Sequence, residues 1–230
     1  MPRQRLTPAR ILICDLDGTL VDSAPDLASA VADLLAETGR PPLDEAAVRR
    51  MVGDGVAKLV ERALEASGGV PGGGALDAHV ARYLAFYEGR LTEKTRPYPG
   101  AVETLSGLKD GGWRLAVCSN KPEAPSRQIL AALGLDRLFE AVAGGDTFAV
   151  KKPDPGHLHG LLETMGAAPA QAVMLGDGRN DVLAARGTGL PVIAFASGYG
   201  PVPAHELGAD ALIETFADLP AALAGIVGRA

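Results

Sequence analysis

The stretch Ile11-Leu12-Ile13-Cys14-Asp15-Leu16-Asp17-Gly18-Thr19-Leu20-Val21-Asp22-Ser23 decides how the rest of the chain is read. Four apolar residues run into two aspartates one residue apart, and a glycine follows. A short, uninterrupted apolar run bounded by polar and turn-forming residues reads as a strand buried on both faces, as in a parallel sheet. In an open α/β sheet, ligands bind at the carboxyl ends of the strands. Asp15 and Asp17 stand at that end, and Gly18 allows the backbone to approach a ligand closely.

Working outward, similar runs recur at 114–118, 141–144, 172–176 and 192–195, with a weaker one at 211–213. Helical patterns lie between them at 102–109, 123–133, 157–165 and 181–186. Strand alternating with helix predicts βαβ crossovers and an α/β, doubly wound parallel sheet. The strand ends carry Ser119-Asn120-Lys121-Pro122, then Lys151-Lys152-Pro153 in a loop, then Asp177-Gly178-Arg179-Asn180-Asp181. Asp15, Asp17 and Asp177, the Ser119 hydroxyl and a lysine thus converge on one end of one sheet. Three carboxylates in a partly desolvated site repel and tend to stay protonated. A divalent cation relieves that repulsion, and an all-oxygen donor set favours Mg²⁺ over Zn²⁺.

One segment breaks the rhythm. Residues 24–96 read as helices only, at 28–38, 44–51, 56–66 and 76–91, with Asp44 as an N-cap and Gly39 just past a helix end. Pro25 and Thr95-Arg96-Pro97-Tyr98-Pro99-Gly100 bracket this insert. Two close chain crossings make a hinge, so the division expected is a core of 1–23 plus 97–230 and a mobile helical lid of 24–96.

Composition sets limits. The 230 residues are 47% hydrophobic and 22% charged, enough apolar side chain for a sizeable core. A net charge of −6 argues against a nucleic-acid or anionic-membrane partner, though not against a small anion held by a local positive site. The two cysteines, Cys14 and Cys118, form neither a CxxC pair nor a zinc spacing, which excludes a disulfide scaffold and suits a reducing cytoplasm. They read as buried structural thiols; a redox pair is the alternative. The apolar run after the N-terminal arginines is too short for a signal peptide or a membrane span. His79, His157, His159 and His205 are dispersed and read as surface residues, Lys151 as a solvated side chain, and Phe86, Tyr87 and Trp113 as helix packing.

Asp15-Leu16-Asp17-Gly18-Thr19, Ser119, Lys152-Pro153 and Gly176-Asp177 with Asp181, each after a predicted strand and in this order, resemble the motifs of the haloacid dehalogenase superfamily over residues 10–225. The insert resembles that superfamily's type-one cap. The stretches Val52-Gly53-Asp54-Gly55, Tyr98-Pro99-Gly100-Ala101-Val102, Ser119-Asn120-Lys121-Pro122 and Gly144-Gly145-Asp146-Thr147 are further similar to those of the bacterial phosphoglycolate phosphatases. The resemblance implies a HAD-like Rossmannoid core and a Mg²⁺-dependent phosphomonoesterase acting through an aspartyl-phosphate on a small phosphorylated metabolite, foremost 2-phosphoglycolate. Sugar phosphates or nucleotides, phosphonatase or phosphohexose mutase chemistry, and a catalytically silent binding module are the rivals; monomer and homodimer both remain open.

Carried over residue by residue, the resemblance implies Asp15 as nucleophile and Asp17 as acid and base, its backbone carbonyl facing the metal. Lys152 neutralises charge, chosen over Lys151 because it immediately precedes the proline. Ser119, the Asn120 N–H and the Gly18 turn hold phosphoryl oxygens; Asp15, Asp17 and Asp177 form the metal site, and Asp181 orients Lys152 or a metal-bound water. On the lid, Gly53 and Gly55 close over the leaving group, and Lys58 or Arg62, four apart on one helix face, meets its acid group. The chain departs from the family's usual residues at Cys14, Ser119, Gly178, Asp154 and Gly156, and none of these removes a catalytic group.

Overall fold

The computed structural model describes residues 10–70, 72 and 75–227. The chain begins with β1 (Ile11–Cys14) and the two-residue β2 (Val21–Asp22), followed by α1 (Ala24–Glu37), α2 (Glu45–Arg49), α3 (Val56–Ala66) and α4 (Ala75–Glu88). It returns through β3 (Arg96–Pro97) to α5 (Ala101–Asp110), β4 (Arg114–Cys118), α6 (Glu123–Ala132), β5 (Ala141–Ala143) and α7 (Gly156–Thr164). It ends with β6 (Ala172–Gly176), α8 (Arg179–Thr188), β7 (Val192–Phe195), β8 (Ala211–Ile213) and α9 (Leu219–Val227).

Among the described residues, the six longer strands form one sheet in the order β5-β4-β1-β6-β7-β8, and every pairing in it is parallel. Strands buried on both faces need apolar residues at every position, which is why β1 and β6 read as continuous runs rather than alternations. The two faces bury different helices. Leu12, Cys14, Leu115 and Val117 pack against α5, α6 and α9, whereas Ile11, Ile13, Ala116 and Cys118 pack against α7 and α8. Cys14 and Cys118 therefore project to opposite faces of adjacent strands. The redox-pair alternative fails for that reason, and burial raises both thiol pKa values, that of Cys118 to about 12.

The four helices between β2 and β3 have a core of their own, built from Leu27, Val31, Leu34, Leu35, Val48, Leu59, Val60, Leu64, Tyr83 and Tyr87. Two features at the crossings went unread. Val21 pairs with Pro97 and Asp22 with Arg96 in an antiparallel ribbon, too short to show any alternation in sequence. The first helix starts at Ala24, not at residue 28, because Pro25 falls in its first turn, where a missing N–H costs nothing and the fixed φ suits a helix. Buried Asp26 then accepts from Lys94 N, Thr95 N and Thr95 Oγ1 at 2.7–3.0 Å, tying the outgoing chain to the returning one. Asp44 caps α2 by accepting from Ala47 N at 2.6 Å, and Gly39 adopts φ +65° just past α1. No helix among the described residues is long and apolar enough to cross a membrane.

Candidate active site

The β1–β6 register pairs Cys14 with Leu175, so Asp15 and Asp177 leave neighbouring strands almost level. Asp15 N continues the ladder by donating to Leu175 O at 2.9 Å, and Ser119 N does the same to Ala143 O at 2.9 Å. The backbone thus brings three loops to one rim before any side chain is considered.

Lys152 reaches this rim from the loop after β5. Its side chain is 1% exposed, and its Nζ lies 3.1 Å from Asp15 Oδ2 and 2.6 Å from Asp181 Oδ1. Burial alone would discharge this ammonium, but Asp15 and Asp181 outweigh it and raise its pKa. Burial pushes the Asp15 carboxyl up to about 7, with Lys152 pulling against it and Asp181 adding to it. Asp177 is likewise raised well above the usual carboxylate range, by burial first and then by Asp181 and Asp15.

His157, read as a surface residue, is fully buried behind Lys152. Its Nδ1 accepts from Lys152 N at 3.2 Å, and its Nε2 lies 3.0 Å from Gly144 O, so the proton belongs on Nε2. Burial and then the Lys152 charge lower its pKa to about 4 and keep it neutral. An isolated histidine in a helical pattern gives no hint of this; only its place five residues after the candidate lysine did.

Carboxylate oxygens of Asp15, Asp177 and Asp181 lie within 4.8 Å of one another. Ligand oxygens around an octahedral Mg²⁺ stand about 3–4 Å apart, given bonds of about 2.1 Å. The donors are hard oxygens carrying more negative charge than Lys152 offsets. The residues present therefore fit a small hard dication. Asp177 is also fixed in place, accepting from Thr19 Oγ1 at 2.7 Å and from Tyr199 N at 2.7 Å. Asp181 Oδ2 accepts from Gly178 N at 3.0 Å, which leaves Asp181 oriented mainly toward Lys152. Gly18 has φ +86°, and a Cβ there would stand 2.5 Å from Asp177 Oδ2, so both the turn and the carboxylate demand glycine.

Asp17 faces a second cation. Lys121 Nζ donates to its two oxygens at 3.1 and 3.2 Å, and Ser23 Oγ donates at 2.6 Å. From the sequence, Lys121 reads either as shaping its turn or as contacting substrate, because a lysine so soon after a strand can turn toward water or toward the rim. Ser119 Oγ accepts from Lys121 N at 3.3 Å, which leaves its hydrogen free. The Asn120 side chain points to backbone, donating to Lys152 O at 2.8 Å and to Gly53 O at 2.9 Å.

The helical unit meets the rim through the loop 52–55. Gly53 O also accepts from Asn180 Nδ2 at 3.1 Å, and Asp54 O accepts from Lys151 Nζ at 2.9 Å. Lys151 is exposed, as a solvated side chain would be, and its ammonium also holds this carbonyl. Arg62 is ion-paired with Asp54 and donates to Met51 O at 2.8 Å. Lys58 is ion-paired with Glu61 with its side chain 57% exposed. Lys58 lines no cavity at Asp15 or Asp17, whereas Arg62, held by Asp54, lines a cavity of about 500 Å³ together with Asp15, Asp17 and Asp177.

Residues 9–189 match the family model described as haloacid dehalogenase-like hydrolase. The chain belongs to the haloacid dehalogenase-like hydrolases. Over 91% of its length and 89% of the relative, this hydrolase is 45% identical to a phosphoglycolate phosphatase of Rhodospirillum rubrum. It is 42% identical to that of Caulobacter vibrioides, covering 90% and 88%. A crystal structure of a predicted phosphoglycolate phosphatase from Haemophilus somnus superposes with a TM-score of 0.89 at 32% identity, covering 94% of this chain and 98% of that one.

Proposed function

We propose that this hydrolase cleaves 2-phosphoglycolate to glycolate and phosphate through an acyl phosphate on Asp15. The observation that carries the reading is the buried Asp15–Lys152–Asp181 line beside Asp177. The relatives named phosphoglycolate phosphatase, at 45% and 42% identity, support the substrate.

Asp15 Oδ2 attacks phosphorus and the ester oxygen departs, taking a proton from the Asp17 carboxyl. Asp17, now a carboxylate, removes a proton from water, which attacks the acyl phosphate and frees Asp15. Lys152 stays charged throughout, held by Asp181 and by Asp15 or the phosphoryl group that Asp15 carries, and it offsets the charge that spreads over the transferring group. The Ser119 hydrogen and the N–H of Asn120 are donors for phosphoryl oxygens. His157 fixes the backbone from which Lys152 projects. Asp15 and Asp177, with the Asp17 carbonyl, would hold Mg²⁺, which would supply further positive charge for the carboxylates and the phosphoryl oxygens.

Residues 24–96 act as the cap. They close by setting the loop 52–55 on Asn120, Lys151 and Asn180, and they open about the β2–β3 ribbon. The reading calls for no nucleic-acid or membrane partner, and two free buried thiols suit a reducing cytoplasm.

A panel of phosphate esters, assayed with and without chelator, tests this. The expected result is turnover that chelation abolishes and Mg²⁺ restores, with 2-phosphoglycolate preferred over hexose phosphates by at least about 10-fold. Preference for a sugar phosphate would overturn the substrate. No turnover of any ester would favour the silent binding module.

A further inference from the structure

Beneath the helical unit, beside Asp17, lies a cavity of about 50 Å³ walled by Leu27, Val56, Leu59 and Leu84. One water needs at least about 10–15 Å³ of such space, so the cavity admits a handful of heavy atoms, and it adjoins a larger one of about 500 Å³ that shares Asp15, Asp17, Val52 and Gly53. Among the described residues, Lys121 is the one cation that lines it. Lys121 is buried, and its ammonium donates to Tyr87 Oη at 2.8 Å and to both oxygens of Asp17. The near-equal Asp17 distances suit one shared N–H, and an ammonium has three, so one donor remains. Tyr83 stacks on Tyr87, is 1% exposed, and its hydroxyl has no hydrogen-bond partner. A buried hydroxyl left unpaired is costly, and an oxygen anion arriving between Tyr83 and Lys121 would satisfy both.

We infer that Lys121 and the Tyr83 hydroxyl bind the carboxylate on the leaving side of the substrate. The cation that selects an acid thus comes from the core loop after β4, not from Lys58 or Arg62 on the cap. This rests on the phosphoglycolate reading and adds the groups that recognise the acid.

The test compares 2-phosphoglycolate with 2-hydroxyethyl phosphate, a partner of similar size without the carboxylate, on the full-length Mg²⁺-loaded enzyme. The readout is the ratio of the two kcat/KM values, so that any effect of Lys121 on Asp17 cancels. Wild type favours the acid; Lys121→Met lowers the ratio about 100-fold and Tyr83→Phe about 10-fold. Binding of glycolate, read by isothermal titration calorimetry and so independent of turnover, weakens in parallel. Tyr83→Phe removes one oxygen and keeps the stacked ring, so it serves if Lys121→Met misfolds. A wild-type preference that survives unchanged in a folded variant overturns this assignment alone. A wild type with no preference for the acid overturns both this assignment and the substrate.

Discussion

At the carboxyl rim of the sheet, Lys152 is buried against Asp15 and Asp181, whereas on the helical unit Lys58 is more than half exposed and pairs with Glu61 one turn away. The same contrast holds for the loops around them. The rim works through side chains whose positions are set by strand register and by buried partners such as His157 and Thr19. The loop 52–55 is held through its carbonyls, Gly53 O and Asp54 O, and through Asp54 Oδ1, which accepts from Asn180 Nδ2 at 2.7 Å, all from donors on the core. Phosphoryl transfer needs charges placed to a fraction of an ångström, which a rigid sheet supplies. A unit joined to the sheet by two chain crossings is placed less tightly, and its backbone oxygens serve as well as any side chain to seat it.

Four measurements break or sharpen that contrast. Asp15→Asn is expected to lower kcat by about 10⁵-fold, the scale seen when a nucleophile is removed. Its urea midpoint should not fall, because the wild-type carboxyl is already disfavoured by burial, with a pKa of about 7. Retained turnover would remove Asp15 from the chemistry.

The second concerns pH. His157 has a folded pKa of about 4, below its ordinary 6.5, so the unfolded chain binds more protons between those values. Stability from neutral His157 is full above about pH 6.5 and is lost as pH falls through 4, by about 3 kcal/mol. Urea unfolding should show the wild-type advantage over His157→Gln shrinking across that window; a pH-independent advantage would contradict a buried neutral imidazole.

Gly55 has φ +90°, and a Cβ there would stand 2.7 Å from Lys151 Nζ and 3.2 Å from Asn120 O. Gly55→Ala should cost about 1 kcal/mol, read as a KM several-fold higher with kcat little changed. An equal fall in kcat would place this loop in the chemistry itself. Last, Lys58→Ala should change kcat/KM by less than about twofold, as for exposed ion pairs generally. A tenfold loss of 2-phosphoglycolate turnover alone would return acid recognition to the cap.

Much of this fold is legible in the sequence, for a local reason. β1, β4, β5 and β6 are short, mostly apolar runs that stop at Asp15, Ser119, Gly144 and Asp177, the pattern that buried parallel strands leave. The ribbon Val21–Asp22 with Arg96–Pro97 is not legible, since two residues carry no period. The chain 219–227, Leu-Pro-Ala-Ala-Leu-Ala-Gly-Ile-Val, also went unread as a helix, because its proline and glycine mask the apolar face that Leu219 and Leu223 place on the sheet.

The aspartates at the strand ends and the hydroxyl of Ser119 follow from the sequence by itself, because a parallel sheet must bring its carboxyl ends to one rim, and the family resemblance adds the lysine before Pro153. Only the tertiary structure decided which cation meets which acid. Lys121, Lys151 and Lys152 are equal as letters, yet one lies on Asp17, one on a cap carbonyl and one between Asp15 and Asp181. A side chain with four rotatable bonds is directed by what surrounds it, and those surroundings come from residues as distant in the chain as Tyr87, Asp54 and Asp181.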